Sequence, residues 1–467
     1  MMEPTIAVRS AIIACFFIPL LVREAETAGC PNNGPGSICA TGAAQFGHDV
    51  AERGTSVPHS GHLIGGVIKF PPDEILGPNT GPCQPGLRPS DPECHASPDS
   101  ARIRAMSILF TPVRIGSLEV PNRFVRSATH DYMADDEGFV TGRQVELYRR
   151  LAEGEVGLIV SGHAYVQPSG KASPKQMAVF DDRFVEGLGR IAAAVHTTPS
   201  KVVLQIAHAG RQTKPKLCGC VPVSPSPVYD PESKVMPREL EASEIRTLIA
   251  DFVAAAVRAK RSGFDGVQLH AAHGYLISSF LSPHTNRRTD EWGGPVENRA
   301  RVLLEVLRGV KAACGRDFPV LVKLNSTDFL EDGLTVDDAV RVAGMIDAAG
   351  IDAIEVSGGM AEAKKGSIWP GLRREEDEGY FVENAAKIRK VVHIPVFGLG
   401  GIRTLAAAER MVADGRVDLV SLSRPLIRDP FLVKHFREGV TTKSECISCN
   451  KCHSLRGIRC ADLNKEE

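Results

Sequence analysis

From about residue 120 onward the chain repeats one unit: a short, continuous apolar run followed by an amphipathic helix. Eight such runs occur, at 124–128, 157–161, 202–206, 266–270, 320–324, 353–357, 395–398 and 418–422. Runs this short and unbroken suit strands buried on both faces, as in a parallel sheet covered by helices. The intervening segments carry helical periodicity. Within 297–311, Ala300, Leu303, Leu304, Leu307 and Val310 form one stripe; within 243–261, Ile245, Leu248, Ile249, Phe252, Val253 and Ala256 form another. Thr335 stands as an N-cap ahead of Asp337 and Asp338, carboxylates placed where the helix dipole favours them. Eight β–α units predict a TIM (β/α)8 barrel. The alternative, a doubly wound sheet, usually has fewer strands and a glycine-rich first turn, which does not follow the first run.

Composition narrows the partners. The chain has 467 residues, 43% of them hydrophobic, enough for a large core. A net charge of −1 points away from nucleic acid and anionic membranes. No apolar stretch approaches the roughly 20 residues that span a bilayer. A small-molecule substrate is the expected partner; the oligomeric state is left open.

The first 105 residues differ from the rest. They hold 13 of the 31 prolines, with Gly-Pro, Pro-Pro and Ser-Pro punctuation through 31–100. This composition predicts a disordered N-terminal extension. Its five cysteines (Cys15, Cys30, Cys39, Cys83, Cys94) are an odd set, unsuited to a closed disulfide framework. The 12-residue apolar run 11–22 after Arg9 has the length of a signal-peptide core. Read as such, it implies export; otherwise the chain is expected in the cytoplasm. Ordered patterning starts abruptly at Met106, read as the natural start of the domain, so the preceding segment is either an extension or a misassigned start. The organisation expected is an extension (1–105), a barrel (106–440) and a cysteine-rich tail (441–467).

In a TIM barrel the chemistry sits where strands end. Polar residues or glycines stand at every expected mouth, including Thr129-His130, Gly162-His163, Gln205 and His208. Gly398-Leu399-Gly400-Gly401 after the seventh run and Ser423-Arg424 after the eighth suit a phosphate, which backbone N–H groups and an arginine fork bind well. Gln205 offers a donor and an acceptor side by side, matching the edge of a flavin pyrimidine; a capping role is the alternative. Lys323 is costly to bury without an anion. It either pairs with a core carboxylate such as Glu355 or stabilises negative charge on a reduced flavin. His270, His273 and Tyr275, in His270-Ala-Ala-His273-Gly-Tyr275, supply two hydrogen-bond donors and a proton donor for a carbonyl compound undergoing reduction. Metal ligation by the two imidazoles, or plain packing, are the alternatives.

Three motifs then agree in order: Pro121-Asn122-Arg123-Phe-Val; Gln205-Ile-Ala-His-Ala-Gly-Arg211; and the stretch from His270 through Asn286-Arg-Arg-Thr-Asp290-Glu-Trp-Gly-Gly294 to Asn298-Arg299. Together they resemble the NADH:flavin oxidoreductase/old yellow enzyme family across about residues 109–437. The resemblance implies FMN held without a covalent bond inside the barrel, with NAD(P)H as co-substrate and an activated alkene as acceptor. It implies that Ala128 and Thr129 approach the flavin, that Gly162 packs near its carbonyl edge, and that Gln205 pairs with the pyrimidine. Lys323 would face N1 and the C2 carbonyl. Gly400, Gly401, Ser423 and Arg424 would hold the phosphate. His270 and His273 would bind the substrate oxygen and Tyr275 would donate the proton. Two positions depart from the family: Lys323 where arginine is frequent, and Ser423 where glycine is.

The tail carries Cys446, Cys449, Cys452 and Cys460, a thiolate density that suits iron–sulfur or zinc. It resembles the cluster segment of the 2,4-dienoyl-CoA reductase and trimethylamine dehydrogenase branch, which carries [4Fe–4S], though the later spacings are tighter. Cluster, zinc and no metal stay open. Without that branch's pyridine-nucleotide and FAD domains, hydride is expected to pass directly from NAD(P)H to FMN. Two competing functions remain: a flavin-free phosphate-binding isomerase or lyase using Gly401 and Arg424, and an iron–sulfur electron-transfer protein centred on the tail.

Overall fold

A computed structural model describes residues 107–363 and 365–463. The expected extension, with its 11–22 run and the start at Met106, lies outside the described residues. Eight parallel strands close into a barrel: β1 (Phe124–Arg126), β2 (Leu158–Val160), β3 (Lys201–Ala207), β4 (Gly266–Ala271), β5 (Val320–Asn325), β6 (Ala353–Ser357), β7 (Val396–Gly398) and β8 (Leu419–Leu422). Each pairs with its neighbours in sequence, and β8 pairs with β1 to complete the ring. All eight expected runs are strands, with ends shifted by at most two residues.

A principal helix follows each strand: α1 (Gly142–Glu153), α2 (Val185–Val195), α3 (Ala242–Arg261), α4 (Arg301–Cys314), α5 (Val336–Ala348), α6 (Val382–Arg389), α7 (Leu405–Ala413) and α8 (Leu432–Glu438). Thr335 caps α5, its hydroxyl accepting from the Asp338 N–H. The helix expected over 297–311 is divided into Val296–Arg299 and α4 at Ala300. At the break Arg299 turns inward and donates to the carbonyls of Gly294 and Leu281.

The barrel interior is layered. Val125, Leu158, Val203, Leu321, Ala353, Phe397 and Leu419 form an apolar floor, joined from below by Ile115 and Val120 of a small antiparallel hairpin. Side chains alternate along a strand, so residues two positions on share the same face. Val203 is therefore followed by Gln205, Leu321 by Lys323, Ala353 by Glu355 and Leu419 by Ser421. A polar layer sits directly above the apolar one. The larger hydrophobic cluster lies outside the ring, between strands and helices.

Candidate active site

Strand register gathers the polar layer. Gln205 lies beside Gln268, and Lys323 lies between His270 and Glu355. Lys323 Nζ is 2.8 Å from Ser127 Oγ and 3.3 Å from Glu355 Oε2, with both charged groups buried. The pairing with Glu355 and exposure to the mouth are compatible, because Lys323 also lines the cavity above. Gln268 Nε2 donates to Glu355 Oε2 at 2.9 Å, and Gln205 Nε2 donates to Gln268 Oε1 at 2.7 Å. A carboxylate only accepts, so this chain fixes both amides. It leaves the Gln205 oxygen for another donor.

Above this layer opens a cavity of about 460 Å³, within the range of small-molecule sites. Ala128, Thr129, Gln205, His270, His273, Tyr275, Lys323, Gly401, Ser423 and Arg424 all line it. Residues from β1, β3, β4, β5, β7 and β8 thus meet in one space. Gly162 and Gly400 are not among the lining residues. Gly162 N–H donates to Tyr148 Oη at 2.8 Å, and a side chain there would crowd the Thr129 carbonyl. Gly400, at φ +130°, accepts from the N–H groups of Gly379 and Tyr380. Both glycines let backbones approach each other.

The histidine strand end is held in a specific form. The Ala272 N–H lies 3.3 Å from His270 Nδ1, so Nδ1 accepts and Nε2 carries the hydrogen. His273 occupies the left-handed region at φ +63°. Its N–H donates to Asn325 Oδ1 and its carbonyl accepts from Gln212 Nε2, contacts that hold an otherwise costly backbone. His273 Nε2 is 2.7 Å from Ser357 Oγ. Burial, followed by nearby His273, His163 and Lys323, holds His270 well below the ordinary imidazole range, and burial followed by Lys323 holds His273 down to about 3. Both rings are neutral at pH 7. Burial pushes the Tyr275 phenol up, so it keeps its proton.

Also lining the cavity, Ser423 Oγ and Thr129 Oγ1 are 2.8 Å apart. Arg424 donates to the Trp369 carbonyl at 2.9 Å and to Asn450 Oδ1 at 2.5 Å. Gly401 stands at φ +70°, where a side chain would strike Leu372. Anion-binding groups therefore line the same cavity as the imidazole–phenol group.

The sequence reading gave no role to several further lining residues. His130 and Tyr132 follow β1, and His163 follows β2, with His163 Nε2 3.2 Å from Tyr275 Oη. The tail contributes Asn450, Cys452 and His453. It runs across the loops as a strap: Ser444 N–H donates to the Arg403 carbonyl, Gly371 N–H to the Ser448 carbonyl, and Ile458 N–H to the Asp131 carbonyl. Burial pushes the Cys446 and Cys452 thiols up, Cys452 to about 11 with a contribution from the other tail cysteines. Among the described residues, no group of three or more His, Cys, Asp or Glu side chains is arranged to hold a metal ion. This applies to Cys446, Cys449, Cys452 and Cys460, and to the alternative of His270 and His273 as ligands. Nor is any helix among the described residues long and apolar enough to cross a membrane.

A closed barrel with a carboxamide, a buried cation and anion-binding groups around one cavity suits a phosphorylated ring cofactor. The donor set fits FMN: an acceptor at Gln205, positive charge at Lys323 and Arg424, and the bare backbone of Gly401 at the cavity wall. The chain belongs to the NADH:flavin oxidoreductase / NADH oxidase family, whose pattern matches residues 108–443. It is 41% identical over 345 residues to an NADH oxidase of Thermoanaerobacter brockii, covering 73% of this chain and 52% of that one. An NADPH dehydrogenase of Bacillus subtilis (strain 168) is 34% identical over 336 residues, covering 72% and 96%. A 2-naphthoyl-CoA reductase solved with 2-naphthoyl-CoA superimposes with a TM-score of 0.70 at 33% identity, covering 74% and 54%. The chain thus spans about half the length of the first of these relatives and of this solved structure.

Proposed function

We propose that this chain is an FMN-dependent oxidoreductase that passes hydride from NAD(P)H to an activated alkene, an α,β-unsaturated carbonyl compound. The supporting observation is the single cavity shared by Gln205, Lys323, Arg424, His270 and Tyr275. Among the described residues, those from 107 to 440 form the FMN-binding barrel and 441–463 the tail across its mouth, and the cytoplasm is the expected compartment. When bound, FMN supplies the hydride chemistry, accepting from NAD(P)H and delivering to the alkene.

The protein's own groups do the rest. Gln205 and Lys323 hold the ring edge, with Ala128 and Thr129 against it; Gly401, Ser423 and Arg424 hold the phosphate. His270 Nε2–H points at the substrate carbonyl oxygen and donates to it as negative charge builds there. His273, held by Ser357, is the second donor to the same oxygen. Neutral imidazoles serve as donors without placing a full charge in a buried site. Tyr275 protonates the carbon next to the carbonyl.

The absorption spectrum tests this reading. Purified full-length protein supplemented with FMN and freed of excess is expected to show the flavin band near about 450 nm. NADH or NADPH, added without air, should bleach it, and cyclohex-2-enone should restore it. Arg424→Ala should release FMN more readily, because the phosphate loses its guanidinium. No band after FMN addition would favour the phosphate-binding isomerase or lyase instead.

A further inference from the structure

We propose that His163 is a positioning residue for Tyr275: its Nε2–H donates to the phenol oxygen, turns the phenol hydrogen toward the substrate, and restores the proton after it is given up. This rests on the reading of Tyr275 as the proton donor. His163 follows the end of β2 and lines the cavity, with Nε2 3.2 Å from Tyr275 Oη. The Gln176 side chain donates to the His163 carbonyl at 3.2 Å and fixes its backbone. The ring packs edge-on against Tyr275 and His270 and stands 4.9 Å from His130, between centroids.

The direction of the hydrogen bond follows from what Tyr275 must do. A phenol that donates to His163 has its hydrogen turned away from the substrate. A phenol that accepts from His163 has its hydrogen free to face the cavity. Burial, with Lys323, holds the imidazole down to about 4, so the ring is neutral and carries a single N–H. Placing it on Nε2 satisfies the geometry.

The same contact handles the aftermath. Once Tyr275 gives its proton to carbon, a phenolate is left in a site where burial already disfavours it. The Nε2–H donates to that oxygen and then passes its proton across, while Nδ1 takes one from solvent. One solvent proton has reached the carbon, no electrons have moved, and the ring ends neutral in its other tautomer. Exchange with solvent resets it. His130, the half-buried ring beside His163, has Nε2 2.6 Å from Ser173 Oγ.

A double-mutant cycle on the FMN-loaded full chain tests the assignment, with cyclohex-2-enone as oxidant of the reduced enzyme. His163→Phe should slow that step by about ten- to a hundredfold. His163→Gln, which keeps a donor and preserves packing, should recover about a third or more of the loss on a logarithmic scale. In the Tyr275→Phe background, His163→Phe should change the rate by less than about twofold, since there is no phenol left to serve. Nitrogen NMR of 15N-histidine-labelled protein should show His163 neutral with Nε2 protonated between about pH 6 and 8; this readout needs no turnover. Full-sized losses from His163→Phe in both backgrounds, no loss in either, or an Nδ1–H tautomer would overturn the proposal while leaving the Tyr275 reading intact. A Tyr275→Phe enzyme as fast as the parent would remove the Tyr275 reading first.

Discussion

Replacing Tyr275 with phenylalanine is expected to slow alkene reduction by about a hundred- to ten-thousandfold. The ring stays, so packing against His270 at 4.6 Å between centroids is preserved, and only the hydroxyl is lost. The loss should fall on oxidation of the reduced enzyme by the alkene. Bleaching of the flavin by NAD(P)H needs no proton from the phenol and should change far less. Stopped-flow absorbance separates the two half-reactions; equal slowing of both would mean that Tyr275 shapes the cavity rather than donating. The parent enzyme should also show little pH dependence in the alkene step between about pH 6 and 9. His163, His270 and His273 are all held below the ordinary imidazole range, so each is already neutral there. Burial holds the phenol above its usual value, so it is still protonated. An inflection at an ordinary histidine pKa would contradict that electrostatic picture.

The barrel was legible because its strands are buried on both faces. The run 353–357 coincides with β6 to the residue, as every one of its side chains is enclosed. Of the support network only the Lys323–Glu355 pairing was legible, because a buried lysine needs an anion; Gln268, which joins Gln205 to Glu355, carried no signal of its own. Glycines were less readable. Gly162, Gly400 and Gly401 all signal a close approach, yet the partner is another backbone segment or side chain at the first two, and only Gly401 meets the cavity.

Histidines at strand ends were ambiguous for a similar reason. His163 and His208 both follow strands, but His208 Nδ1 accepts from the Gly210 N–H and its Nε2 meets Ser169 of the loop after β2, committing both ring nitrogens to loop contacts. His163 turns inward instead. The rotation of a side chain just past a strand depends on loop neighbours far apart in sequence. Asn450 is a similar case: it meets Arg424 and the Ile368 carbonyl only through the path of the tail, for which no local pattern exists.

The second large effect is expected at the base of the site. Lys323→Met keeps the length of the side chain but removes its charge, leaving Glu355 buried at 0% exposure with its cation gone. Breaking one side of a buried pair typically costs about 3–5 kcal/mol, mostly from the charge left behind. Urea unfolding of the FMN-free protein should show a loss of that order. Adding Glu355→Gln should recover more than half of it, because a neutral amide can stay bonded to Gln268 without a counter-charge. The pH dependence has a definite sign. In the parent, burial pushes the Glu355 carboxyl up, but Lys323 and neighbouring donors more than offset this and hold it below the ordinary range. Its contribution to stability is therefore present above the unfolded carboxylate pKa and is lost as pH falls through the folded value. Without Lys323 only the neighbouring donors oppose burial, and the carboxyl binds a proton on folding. The deficit of Lys323→Met should then be larger at about pH 7 than at about pH 5, while the double variant should show no such trend. Equal, pH-independent losses in the single and double variants would mean that Lys323 supports the barrel by its hydrogen bond to Ser127 and its packing, not by neutralising Glu355.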